Sequence, residues 1–176
     1  MTTRARSTGT GSTRAAGSTG TSLTELLLST ALIGIVATIS APAFHSYLHA
    51  GALKAGAEEL AALMNLARSL AIRDNTRVCV NRDPEGSNRV RLLIASANPC
   101  AAEASFYGSP GRGVDARVDT GGWIALQNQV GVTAATADVI FTALGAAVPG
   151  GTYTVSKNGR TLDVVVAPTG RVTIAP

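Results

Sequence analysis

Aromatic residues are scarce in this chain of 176 residues: one Trp, three Tyr and three Phe. Any core must be built mostly from Val, Ile, Leu and Ala. Histidine is scarcer still, with only His45 and His49. A hydrolase needs a nucleophile, a base and a group that orients the base, and both histidines lie beside an apolar run, away from the segments that read as strands. GxSxG, HExxH and P-loop patterns are absent. The expectation is a protein that is not an enzyme, with no cofactor and no small-molecule substrate. The two histidines share a helical face at i, i+4, but no carboxylate lies near them in sequence to complete a metal site. Membrane-interface surface is the expected reading for them.

Charge of one sign is also limited. The net charge is +4, and Arg4, Arg6 and Arg14 stand in the first 20 residues, which contain no acid. The remaining bases nearly balance the 11 acids, so overall basicity is no argument for a nucleic-acid partner. Cysteine occurs twice, at Cys79 and Cys100. No CxxC accompanies them, which argues against zinc. In an exported chain they are expected to form a disulfide, worth about 3 kcal/mol for a loop of that length; two buried thiols are the alternative.

What is present is uneven. Residues 1–20, MTTRARSTGTGSTRAAGSTG, hold no large apolar side chain and nothing that can be buried, so they are expected to be disordered or removed. A basic stretch before an apolar segment should stay on the cytoplasmic side. From Leu26 to Ala41 every residue is apolar or small and uncharged, about 24 Å as a helix. Continued on both sides, the run reaches bilayer thickness. A secretory signal peptide would carry its cleavage site after the run, where Pro42 disfavours it; here a polar, Gly-ended leader precedes the run.

Gly20, then Thr21-Ser22-Leu23-Thr24-Glu25, then the apolar run and Pro42, resembles the leader and stem of type IV pilins and type II secretion pseudopilins. The resemblance implies that a prepilin peptidase cuts after Gly20, that Thr21 becomes the new N-terminus, and that Glu25 is the acid at mature position five. It also implies a kink at Pro42. Thr21 departs from the usual Phe or Met, which bears on N-methylation more than on cleavage. A carboxylate near the bilayer centre costs about 2.5–3.5 kcal/mol and such groups are commonly paired. The freed α-amino group of Thr21, or that of a neighbouring subunit, is the expected partner of Glu25; pairing with nothing in the headgroup layer is the alternative.

Beyond Pro42, Leu53, Ala57, Leu60, Met64, Ala67 and Ala71 make a helical stripe, widened by Leu63, Leu66 and Leu70. One long helix from about Ser22 to about Arg73 is expected, loosened at Gly34, Gly51 and Gly56, with its second half lying on a sheet. From residue 75 onward, β-branched segments alternate with Gly, Pro and Asn. Strands are expected over 76–81, 89–95, 122–128, 138–143, 152–157, 161–167 and 171–174. An Asn158-Gly159 turn should join two of them, and 96–121 reads as a long loop.

Four stretches of this body resemble FimT/GspH-type minor pilins and pseudopilins: Ala67-Arg68-Ser69-Leu70-Ala71-Ile72-Arg73, Gly121-Gly122-Trp123-Ile124, Phe141-Thr142-Ala143-Leu144-Gly145 and Pro168-Thr169-Gly170-Arg171-Val172. The resemblance implies an α+β, type IV pilin-like fold, a long N-terminal helix packed on antiparallel sheets. The implied organisation is a cleaved leader (1–20), a transmembrane and assembly half of the helix (21–43), an amphipathic half (44–74) and a β-rich domain (75–176). The implied protein is a single-pass inner-membrane minor pseudopilin of a type II secretion system, its globular part in the periplasm. Its partners would be other pilins or pseudopilins, the prepilin peptidase and membrane lipid. The alternative is a minor type IV pilus subunit, FimT-like, involved in pilus biogenesis or in DNA uptake by binding DNA. Lys157, Arg160 and Arg171, with Arg112 and Arg117, could then cluster on phosphates; the competing reading is a solvated sheet edge, where such residues deter edge-to-edge pairing.

Overall fold

The computed structural model describes residues 22–84, 88–95, 100, 105–108 and 117–176. The chain divides into two units, Met1–Pro42 and Ala43–Pro176. A single helix, α1 (Leu23–Arg73), runs through both. Pro42 lies within it, but the kink expected there falls on side chains outside the described residues.

In the second unit the helical stripe is core. Leu53, Ala57, Leu60, Leu63, Met64, Ala67, Leu70 and Ala71 are all buried, and Leu66 packs partly buried against them. Each large apolar side chain so placed stabilises by about 1.5–3 kcal/mol. Gly56 has a more specific role than loosening the helix: a Cβ there would fall 2.7–2.9 Å from three atoms of Val130. Glycine is what lets α1 meet buried Val130 at that distance.

Two antiparallel sheets complete this core. The first contains β1 (Arg77–Arg82), β2 (Arg89–Ala95), β3 (Ser105–Phe106), β4 (Trp123–Ala125) and β6 (Val139–Phe141), in the order β3-β2-β1-β6 with β4 also on β2. The second is ordered β5-β7-β8-β9, from β5 (Gly131–Ala135), β7 (Gly151–Lys157), β8 (Arg160–Val166) and β9 (Val172–Ala175). The strand period of two sorts the side chains. Val78, Val80, Val90, Leu92 and Ile94 join the helix in the core, as do Val132, Tyr153, Val155, Val164 and Val166 from the second sheet.

Two expected features differ from the structure. The segment 122–128 is a strand only over Trp123–Ala125, then a 3₁₀ turn over Gln127–Gln129. β3 and β5 were not expected: β3 is two residues long, and β5 is Gly- and Ala-rich with a register shift between Val132 and Ala134. The Asn-Gly turn is as expected, with Asn158 at φ 49° and Gly159 at φ 77°. Positive φ at both central residues is what a type I′ hairpin requires.

Candidate functional site

In the first unit α1 presents apolar side chains outward. Leu23, Leu26, Leu27, Leu28, Leu32, Ile33, Ile35, Val36 and Ile39 are each between 57% and 75% exposed. A water-soluble helix would bury such a face, so this one is built to meet lipid or other helices. The segment is long and apolar enough to cross a membrane. Its hydroxyls are matched to that setting. Ser29 Oγ donates to Glu25 O at 2.8 Å, Thr30 Oγ1 to Leu27 O at 3.0 Å, Thr38 Oγ1 to Ile35 O at 2.7 Å and Ser40 Oγ to Val36 O at 2.8 Å. Ser22 and Thr24 share a bond of 2.8 Å. Polar groups satisfied within their own helix avoid most of the cost of leaving water.

That leaves Glu25 as the one charged residue between Ser22 and Phe44. It lies in the first turn of α1, where its amide donates to Ser22 O at 2.9 Å. A carboxylate at a helix N-terminus is favourably placed against the exposed N–H groups. Gly20 and Thr21 fall outside the described residues.

In the second unit, sequence stretches that are far apart meet. Gly145 (φ 79°) and Gly170 (φ 80°) close two turns, their amides donating to Thr142 O and Ala167 O, both at 2.8 Å. A Cβ on Gly170 would lie 2.0 Å from the Gly145 carbonyl oxygen, and a Cβ on either glycine 3.1 Å from Arg68 Nε. The stretches around Arg68, Gly145 and Gly170 are therefore one packed junction at the end of α1. The stretch 121–124 is held elsewhere: Asp119 Oδ1 accepts from the amides of Gly121 and Trp123, both at 2.9 Å. The Arg91 guanidinium lies 4.5 Å and that of Arg89 5.7 Å from the centre of the Trp123 ring.

Cys79 and Cys100 form a disulfide. Cys79 is buried on the face of β1 opposite the main core, paired in register with Leu93, which is also buried. The bridge fixes Cys100 beside that outer face. The Asp138 carboxylate lies within 4.8 Å of both sulfurs, but sulfurs bonded to each other are not thiolate ligands, and Asp138 Oδ2 accepts from Asn81 Nδ2 at 2.9 Å.

The GspH family, described as type II transport protein GspH, matches residues 56–170. The chain belongs to this family. Two crystal forms of the type IV minor pilin FimU from Pseudomonas aeruginosa (strain PAO1) resemble this GspH-family chain at 19% identity and a TM-score of 0.48. The first covers 70% of this chain and 93% of FimU, the second 74% and 92%. Among curated proteins, none matches the chain. Membership places it among type II transport proteins, and the apolar N-terminal helix is in keeping with membrane anchoring.

Of the basic residues expected to cluster, Lys157 and Arg160 stand apart from Arg171 in this GspH-family chain. Lys157 and Arg160 face each other across the β7–β8 turn, whereas Arg171 follows the turn after β8. Seven residues of strand separate the two ends by about 20 Å. Lys157 Nζ donates to Asn128 O, Arg160 Nη2 donates to Ser46 Oγ at 3.2 Å and Asn158 Nδ2 to His49 Nδ1 at 3.0 Å. Arg117 Nη1 is 3.6 Å from Glu59 Oε1, and Arg112 lies outside the described residues.

Two polar devices were not legible in the sequence. Tyr153 Oη donates to Val80 O at 2.6 Å and accepts from the Val139 amide at 3.1 Å. One phenol from the second sheet thus ties two strands of the first. Burial pushes its pKa well above the ordinary value of 10.0, while the bond from Val139 pulls the other way. Asp83, buried, takes two bonds from Arg89, Nη2 at 2.7 Å and Nε at 3.1 Å.

Proposed function

We propose that this chain is a minor pseudopilin of a type II secretion system. A prepilin peptidase cuts after Gly20, Thr21 carries the new amine and is the residue available for N-methylation, and the body lies in the periplasm. The subunit joins a short filament through the apolar half of α1 and turns over no substrate. Family membership supports this reading, and so does the outward apolar face. The observation that carries it is Glu25: one carboxylate in an exposed apolar helix whose described hydroxyls are all bonded internally. In low dielectric such a charge is stabilised by pairing with an amine, which fixes the axial register between packed stems.

The alternative is a minor type IV pilus subunit involved in pilus biogenesis or in DNA uptake, and its DNA-uptake form depends on a phosphate-binding cluster. Lys157 and Arg160 stand at one end of β8 and Arg171 at the other, which does not favour DNA uptake; the match to a family described as type II transport protein is what puts the secretion reading ahead of pilus biogenesis.

The experiment is Glu25→Ala in the producing cell. Membrane insertion, read by resistance to alkaline extraction, is expected to be unchanged. Cross-linking into assemblies, and export, are expected to fall at least tenfold. Wild-type assembly and export in the variant would refute the pairing role.

A further inference from the structure

A polar cleft of about 470 Å³ opens within the second unit. It is lined by Asn81 and Arg82 at the end of β1, Arg91 in β2, Ala135 at the end of β5, and Ala137 and Asp138 just before β6. That volume is in the range that takes a small ligand. Ala135 and Ala137 give their wall only methyl groups, which keeps the space open. The strand register assembles the polar side. Arg91 pairs with Asn81 across β1 and with Trp123 across β4, so the three side chains stand in a row on the face of the first sheet opposite the main core. Asn81 Nδ2 donates to Asp138 Oδ2 at 2.9 Å.

Arg91 is what marks the cleft as a site. Its guanidinium lies over the Trp123 ring, 4.5 Å from the centre. Its Nε is enclosed and has no hydrogen-bond partner. Among the described residues Arg91 makes no hydrogen bond or ion pair, and Arg82 makes one bond, from Nη1 to the Asp83 carbonyl at 3.3 Å. The nearby acids are engaged elsewhere. The Asp83 carboxylate takes two bonds from Arg89, and Asp119 takes two backbone amides and lies 3.7 Å from Arg89. A guanidinium drawn partly out of water is costly unless an anion meets it. Because the group is planar, a ring over its face leaves the N–H groups at its edge, where they match the two oxygens of a carboxylate. Arg82 and Arg91 against Asp138 leave one positive charge in the cleft, which suits a single carboxylate better than a doubly charged phosphate.

We propose that this cleft is a carboxylate-binding site, in which Arg91 and Arg82 hold the carboxylate and the Trp123 ring braces Arg91. The carboxylate belongs to a small organic acid or to an Asp or Glu side chain of a peptide, and the chemistry of recognition is the same for both. The site lies wholly within the second unit. It goes beyond the proposed function and stands or falls independently of it.

Trp123 is the one tryptophan of the chain, so its emission reports on Arg91. The full chain in detergent is titrated with propionate, with an end-blocked glycine peptide carrying one central Glu, and with inorganic phosphate, each against sodium chloride of equal ionic strength. A saturable change in emission is expected with a carboxylate probe, at a concentration about tenfold or more below that needed for phosphate. A response to propionate and peptide alike assigns the site to free carboxylates; a response to the peptide alone assigns it to an acidic side chain. Arg82→Gln leaves Trp123 and Arg91 in place, and Arg91→Lys keeps the charge but removes the fork. Each is expected to raise the half-saturating concentration about tenfold with a urea midpoint near that of the wild type. No saturable response to either carboxylate probe, an equal response to phosphate or chloride, or unchanged affinity in the two variants would each overturn the site.

Discussion

Single residues decide how closely the elements of the second unit approach. Gly56 faces Val130 where a methyl group would intrude at 2.7–2.9 Å. Helix propensity favours Ala over Gly by about 1 kcal/mol, whereas overpacking a core costs about 1–3 kcal/mol. The contact should win. Gly56→Ala is expected to lower stability by about 1 kcal/mol by denaturant midpoint, and Val130→Ala in the same chain should relieve part of that loss. A stabilised Gly56→Ala variant would contradict the account. Tyr153 gives a pH dependence with a definite sign. Its folded pKa is raised by burial from 10.0. Above about pH 10 the unfolded phenol ionises while the folded one stays protonated, so stability falls as pH rises. The wild type should therefore lose stability more steeply between pH 9 and 11 than Tyr153→Phe, compared by urea midpoints in detergent. Equal slopes would contradict it. The variant should also be about 1–3 kcal/mol less stable at neutral pH, because two backbone groups lose a buried partner. Neither role shows in the sequence, since each depends on an atom brought in from a distant strand.

Among the elements, those with strong periodicity were the legible ones. The stripe from Leu53 to Ala71 and the uncharged run before it predict a helix ending at Arg73, and α1 ends there. The Asn158-Gly159 turn and the β7–β8–β9 meander follow from turn chemistry, because positive φ at two consecutive positions has few residue solutions. β5 was missed because Gly131, Ala134 and Ala135 give weak strand propensity and its alternation is broken by the shift after Val132. β3 was missed because two residues make no period. The stretches around Gly145 and Gly170 could be seen separately, but their contact with each other and with Arg68 could not. The disulfide belongs at this scale too, since it joins β1 to Cys100 across a sequence separation of 21. The Cys79→Ala/Cys100→Ala variant is expected to lose about 3 kcal/mol, read by the same midpoints. A loss below about 0.5 kcal/mol, within the usual range for a plain surface substitution, would show that the bridge does not stabilise the fold.

For the whole molecule, the two units have different solvents. The second folds around a conventional core, whereas the first keeps its apolar side chains outward, folds its hydroxyls back on itself and retains one acid. Part of that was legible: the apolar run, Gly20 and Glu25 can be read from one line of residues. On the proposed function, the amine that meets Glu25 is created by cleavage or supplied by another subunit, and no line of residues names it. The intact mass and N-terminal sequence of the chain purified from the membrane of its producing cell test the central claim most directly. The account predicts a chain that begins at Thr21; one that begins at Met1, or anywhere other than Thr21, would contradict it.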